Sequence, residues 1–305
     1  MDRRFFLKNV TCVFSIPIIQ KYFFSNFFIS DKYKIFSKIF FSMGTMGRIC
    51  VISKDENVWN ILHKTIKRIL FLEGKLTKFL VWSDIGRLNL LRCADNISDE
   101  TLKVLKLSVL MQSKTDNYFN VTINPFMFEL NKFNLQCSPK TNILLFNDPF
   151  VSLTMTGYNI DLGGIGKGYI IQDAMNYLIS VGVEHSFIEI GGDVKVYGGL
   201  PNGKSWDILV ANSMGYTNRL FKLHTGSIST SGKYRKRFST HLVNKNSFHI
   251  IDPTTSSFNT YYNRVTVIGD DLSICDALST ACYNVPPLFF KEFINSFNKY
   301  TFDVD

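Results

Sequence analysis

Apolar residues at Val58, Ile61, Leu62, Ile66, Ile69 and Leu70 recur at helical spacing and predict a first helix over Lys54–Glu73. A second is predicted over Asp99–Ser113, opened by Ser98 or Asp99 as a cap. A third runs from about Gly168 to Ser180, with Ile171, Ala174, Met175 and Leu178 on one face, and stops before Gly182. The period then shortens. Ser186–Ile190, Val194–Tyr197, Trp206–Ala211, Phe248–Ile251 and Arg264–Ile268 read as strands, each bounded by Gly, Asn, Asp or Pro. A last helix is expected from near Asp271 to Tyr283. Helices and strands interleave without a strict βαβ rhythm, so the expected class is α+β, mixed sheets with packed helices.

At 305 residues, with 46% hydrophobic and 19% charged, the chain is too apolar for a disordered protein and long enough for a sizeable core. No run reaches the roughly 18 uncharged apolar residues that a spanning helix needs, which excludes a polytopic membrane protein. The net charge of +9 first points to a nucleic-acid partner. Its distribution removes that reading. Residues 1–38 hold Arg3, Arg4, Lys8, Lys21, Lys32, Lys34 and Lys38 against Asp2 and Asp31, and the remainder is only mildly basic. No basic stripe with interleaved aromatics stands out elsewhere, so no nucleic acid is expected.

The N-terminal Asp2-Arg3-Arg4-Phe5-Phe6-Leu7-Lys8 resembles a twin-arginine export signal, followed by a short apolar stretch from Val10 to Ile19. No small-x-small cleavage site lies between Lys21 and Ser37, so an uncleaved segment would act as an anchor in the inner membrane. The expected organisation is residues 1–37 as signal or anchor and linker, the linker reaching about Phe41, and residues 38–305 as one globular domain. Export would place that domain in the periplasm. Cys12, Cys50, Cys93, Cys137, Cys275 and Cys282 form no CxxC pair or zinc spacing, and Cys275 and Cys282 read as packing residues of one helix.

Three stretches carry candidate chemistry. Asp161-Leu162-Gly163-Gly164-Ile165-Gly166-Lys167-Gly168-Tyr169 opens a helix, and glycine-rich backbone there presents free N–H groups to an anionic phosphate. Gly168 stands where a Walker loop needs Ser or Thr. Asp276 and Thr280, four apart, put a carboxylate and a hydroxyl on one helix face, hard oxygens suited to Mg²⁺. His249-Ile250-Ile251-Asp252-Pro253 offers a histidine as a candidate general base. Taken singly, each also fits an ordinary role: a tight glycine turn, a solvated Asp with a back-bonded Thr, a structural histidine. Gly191-Gly192-Asp193 and Ser231-Gly232-Lys233-Tyr234 read as turn elements.

Their order carries more than any one of them. Met43-Gly44-Thr45, Ser83–Asn89, the Asp161–Tyr169 loop, Gly191–Asp193, Ser231–Tyr234, His249–Pro253 and Asp276–Thr280 together resemble the ApbE family, the FAD:protein FMN transferases. The resemblance runs from about residue 43 to 285 and implies an ApbE-like, T-fold-like domain. It also implies FAD as substrate and Mg²⁺ on its pyrophosphate, with Asp276 and Thr280 as side-chain ligands and Gly164 as a backbone ligand. Met43, Phe79, Tyr118, Phe119, Asn120, Asp161, Lys167 and Ile250 fall at flavin-nucleotide positions. For catalysis, Asp276 acts through the metal, Lys167 is expected to supplement its charge, and His249 is the candidate to help deprotonate the attacking hydroxyl.

This chain departs from the family at Phe79, often tyrosine, at Asn120, commonly aspartate, and in Thr254–Phe258, which lacks the usual glycine and proline. The implied reaction moves FMN from FAD to a Thr or Ser hydroxyl of an acceptor protein, a membrane-bound electron-transfer subunit, releasing AMP. Two other activities share the motifs. One is an FAD-binding accessory protein for a respiratory or nitrous oxide reductase maturation system, as in NosX-like members. The other is Mg²⁺-dependent hydrolysis of FAD.

Overall fold

A computed structural model describes residues 32–123, 142–211, 217–232, 250–255, 258 and 261–305. Its first two strands, β1 (Lys34–Ser42) and β2 (Thr45–Ser53), pair antiparallel from Lys34↔Ser53 to Ser42↔Thr45. The two-residue link between them, Met43-Gly44, has both φ angles positive, at 51° and 72°. That is the turn whose twist matches the strands it joins. The stretch read as linker up to Phe41 is therefore an edge strand from Lys34 on. Its aromatics fall on both faces, Phe36 buried and Phe41 exposed, which hides the alternation.

Helix α1 (Val58–Leu76) begins four residues later than its apolar pattern predicts, because Asp55 accepts from the Asn57 N–H and holds the chain in a turn. Next come α2 (Asp84–Leu91), β3 (Cys93–Ala94), α3 (Asp99–Lys114) and β4 (Thr122–Ile123). Only eight residues long, α2 gave no periodic signal; Ser83 starts it by accepting from the Gly86 N–H. Short strands β5 (Leu144–Asn147), β6 (Phe150–Leu153) and β7 (Asn159–Ile160) lead to α4 (Gly166–Ser180).

Beyond α4 the chain forms β8 (Ser186–Ile190), β9 (Asp193–Tyr197), β10 (Trp206–Ala211), β11 (Thr217–Leu223), β12 (Gly226–Gly232) and β13 (Arg264–Gly269). It ends with α5 (Leu272–Asn284), α6 (Pro287–Asn295) and β14 (Thr301–Val304). Ser231 and Gly232, read as part of a turn, close strand β12 instead. Of the expected strand Phe248–Ile251, the first two residues lie outside the described set, and Ile250 and Ile251 are not in a strand.

Seven strands make the main sheet, in the order β1-β2-β8-β9-β12-β13-β14, with every neighbouring pair antiparallel. Alternation divides its side chains between two cores. Ile49 and Val51 of β2, with Ile188 and Ile190 of β8, face the helices. Cys50, Ile52, Phe187, Val194 and Val196 face the other way, where the β10–β11 hairpin covers them with Trp206, Ile208 and Val210.

The α5 helix runs through the main core. Its Cys275, Ala277, Ala281 and Cys282 are small and fully buried, which lets α4, β12 and β13 pack closely on it. The two cysteines are thus free packing residues, as the sequence suggests. The fold is α+β, and among the described residues no helix is long and apolar enough to cross a membrane.

Candidate active site

The glycine loop and α5 meet at one point. Asp161 opens the loop by accepting from the Gly163 N–H at 2.9 Å, and its other oxygen is paired with Lys78. Leu162 O then accepts from Ile165 and Gly166, turning the chain into α4. A β-carbon built on Gly164 would lie 2.9 Å from Thr280 Oγ1 and 3.3 Å from Phe119 Cε2. Only a residue with no side chain lets this backbone approach the Thr280 hydroxyl so closely.

Gly168 serves a different approach. Its N–H donates to Asp276 Oδ2 at 2.9 Å, and an added β-carbon would sit 2.4 Å from Leu272 O and 2.7 Å from Asp276 Cβ. The neighbouring atom is backbone and cannot swing aside. Gly168→Ala should therefore force α4 and α5 apart, costing about 1–3 kcal/mol. Urea unfolding would measure it, and an unchanged midpoint would mean that the helices yield freely.

Lys167 connects the two helices to the sheet. Its Nζ lies 2.9 Å from Asp193 Oδ2 and 3.5 Å from Asp276 Oδ1. Asp193, the first residue of β9, is 2% exposed and also accepts from Ser229 Oγ at 2.6 Å. Burial works against the Lys167 charge, but the two carboxylates outweigh it and hold the ammonium well above its ordinary range. Burial raises the Asp276 carboxyl to about 7, with Lys167 opposing the rise and Asp193 adding to it. From β12, Ser231 Oγ reaches the same part of α5, 2.8 Å from Ser279 Oγ and 3.3 Å from Thr280 Oγ1.

The remaining sequence-selected residues frame this centre. Met43, half-buried in its turn, donates its N–H to Glu73 Oε1 at 2.7 Å. Phe79 is 83% exposed, with Lys78 Nζ 5.4 Å from its ring centre. Tyr118 stands edge-on to Phe293, while Phe119 is buried behind Gly164. Asn120 closes its own turn by accepting from Thr122 N and Oγ1. Ile250 packs on the main core, and Asn284 at the end of α5 donates to both Tyr118 O and Ile251 O, tying those two segments to one helix end. His249 lies outside the described residues.

Sequence reasoning missed Asp193 as a charged partner, because a Gly-Gly-Asp stretch signals a turn first. It also missed Glu73, Lys78 and Asn284, whose partners lie far along the chain.

The donor set fits a small divalent cation beside a diphosphate. Asp276, Thr280 Oγ1 and the Gly164 backbone supply hard oxygens. Among the described residues no three His, Cys, Asp or Glu side chains converge as an all-protein cage requires. A cation here would take further oxygens from phosphate and water, which is how Mg²⁺ is commonly held.

A sequence model described as the ApbE family matches residues 43–302. The "FAD:protein FMN transferase" of Vibrio cholerae is 28% identical over 204 residues, 60% of this chain and 60% of that protein, so the match spans less than two thirds of the relative's length. The "FAD:protein FMN transferase" of Buchnera aphidicola is 24% identical over 83% of this chain and 81% of its own. Among solved structures, the ApbE protein from Thermotoga maritima superposes with a TM-score of 0.73 at 25% identity, over 89% of this chain and 94% of that one.

Proposed function

The chain belongs to the ApbE family, and from that premise we propose that it is an FAD:protein FMN transferase dependent on Mg²⁺. The observation that carries the reading is the approach of the Gly164 backbone to Thr280 Oγ1 beside the buried Asp276 carboxyl. Asp276, Thr280 and the Gly164 carbonyl would hold the cation. When bound, it supplies positive charge to the diphosphate and the leaving phosphate.

The protein's own part is binding and orientation. Lys167 places a permanent positive charge at the glycine-loop helix start, where the helix dipole also favours phosphate, although the Gly163, Ile165, Gly166 and Gly168 amides are bonded within the protein. Asp161, Met43, Phe79 and the Tyr118–Asn120 segment would contact the flavin nucleotide. A Thr or Ser hydroxyl oxygen of the acceptor forms a bond to the FMN phosphorus, the bridging P–O bond breaks, and AMP leaves with the electron pair. The hydroxyl proton goes to His249. The acceptor is a membrane-bound electron-transfer subunit, met on the periplasmic side after twin-arginine export of this chain.

Incubation with FAD, Mg²⁺ and an acceptor should give a fluorescent acceptor band that survives denaturation, with one AMP released per label. FMN and AMP without a labelled acceptor would show hydrolysis, and FAD bound without AMP would show an accessory binding protein. His249→Ala should lower transfer by about a hundredfold at neutral pH, with a smaller loss at high pH where the hydroxyl sheds its proton more readily. Near-full transfer by that variant at every pH would make the histidine structural.

A further inference from the structure

The turn that carries Met43 is held by a residue no motif includes. Met43 has φ 51°, a left-handed conformation that residues other than Gly, Asn and Asp seldom adopt. Glu73, on the last turns of α1, grips it with both carboxylate oxygens: Oε1 accepts from Met43 N at 2.7 Å and Oε2 from Ser42 Oγ at 2.7 Å. Ser42 is 1% exposed, so this second bond is shielded from water.

The hairpin does not need this grip for its register. Its strands pair along their whole length, and their inner faces lie in the two cores. What Glu73 adds is a fixed turn at the rim of the site. Thr45, the residue after that turn, packs against Gly191, where an added β-carbon would lie 2.9 Å from Thr45 Cγ2 and 3.8 Å from Lys167 Cδ. The Met43–Thr45 turn, the Gly191–Gly192 turn and Lys167 are thus contiguous.

We propose that Glu73 is a positioning residue, which locks the Met43–Gly44 turn in the conformation that receives the flavin nucleotide. The inference rests on the nucleotide-binding reading of the site. Charge-assisted hydrogen bonds to a carboxylate are strong and directional, so one side chain can hold a disfavoured backbone conformation in place before the ligand arrives.

The test is FAD binding to the full chain in Mg²⁺, followed by quenching of flavin fluorescence, with kcat at saturating FAD as a second readout. Glu73→Ala should weaken FAD binding about tenfold and leave kcat within about twofold. Glu73→Gln, which still offers an oxygen to Met43 N–H, should stay within about threefold of wild type. Ser42→Ala, which removes one of the two bonds, should weaken binding about threefold.

A purely structural role would lower the melting temperature of Glu73→Ala and Ser42→Ala while their FAD affinity stayed at the wild-type value, and that result overturns the proposal. If Glu73→Ala does not fold, Ser42→Ala decides alone. Failure of the wild-type chain itself to bind FAD would overturn the nucleotide reading instead, so the two failures are distinct.

Discussion

Asp276→Asn should abolish FMN transfer while leaving the protein folded. The asparagine oxygen can still accept from the Gly168 N–H, which now bonds Asp276 Oδ2 at 2.9 Å. It cannot supply the negative charge that a divalent cation requires. Because burial already raises the Asp276 carboxyl to about 7, replacing it by a neutral amide also removes a desolvation cost. Stability should therefore hold or rise slightly. The transfer rate should fall by at least about a hundredfold, since the proposed cation would be asked to stabilise the transition state by several kcal/mol. Acceptor fluorescence after denaturing electrophoresis, beside urea unfolding of the same preparation, measures both. A variant retaining a third or more of the wild-type rate would remove Asp276 from the chemistry.

Lys167→Met should do the opposite to the balance of effects and damage the fold itself. The ammonium lies between Asp193 and Asp276, both nearly inaccessible, and without it two carboxylates face each other in the interior. Breaking such a buried pair from one side costs about 3 kcal/mol or more.

The pH dependence has a definite sign. With no cation nearby, the carboxyl pair binds protons more tightly when folded than when unfolded, so its folded pKa lies above the unfolded value. Stability is then retained at low pH and lost as pH rises through the folded pKa. The deficit of Lys167→Met against wild type should be larger at pH 8 than at pH 5.5, read from urea midpoints at the two values. An equal deficit at both would mean that the carboxylates are relieved by water or by movement of β9.

Met155, Leu220, Leu288 and other exposed apolar side chains are scattered over the surface and need no functional account. The concentration of Phe79, Val81 and Trp82 is different in kind, because Lys78 joins that loop to Asp161 of the glycine loop.

Local pattern determined much of this protein. The apolar spacing of α4 and α5, the turn-bounded β-rich runs of β8 and β10, and the glycines that open α4 are short-range properties of the chain, and each element formed close to where its own residues place it. Asp276 and Thr280 share a helix face for the same reason, since four residues make about one turn. Tertiary structure alone decided which distant groups meet. Gly168 and Asp276 are separated by 108 positions, Met43 and Glu73 by 30, and Lys78 and Asp161 by 83. No period in the sequence encodes such a pairing. For Gly168 and Asp276 the reason is that packing α5 between α4 and the sheet excludes water, and a polar group caught there must find its partner among whatever the fold brings within reach. The other two pairs lie nearer the surface and follow from where the fold sets their elements.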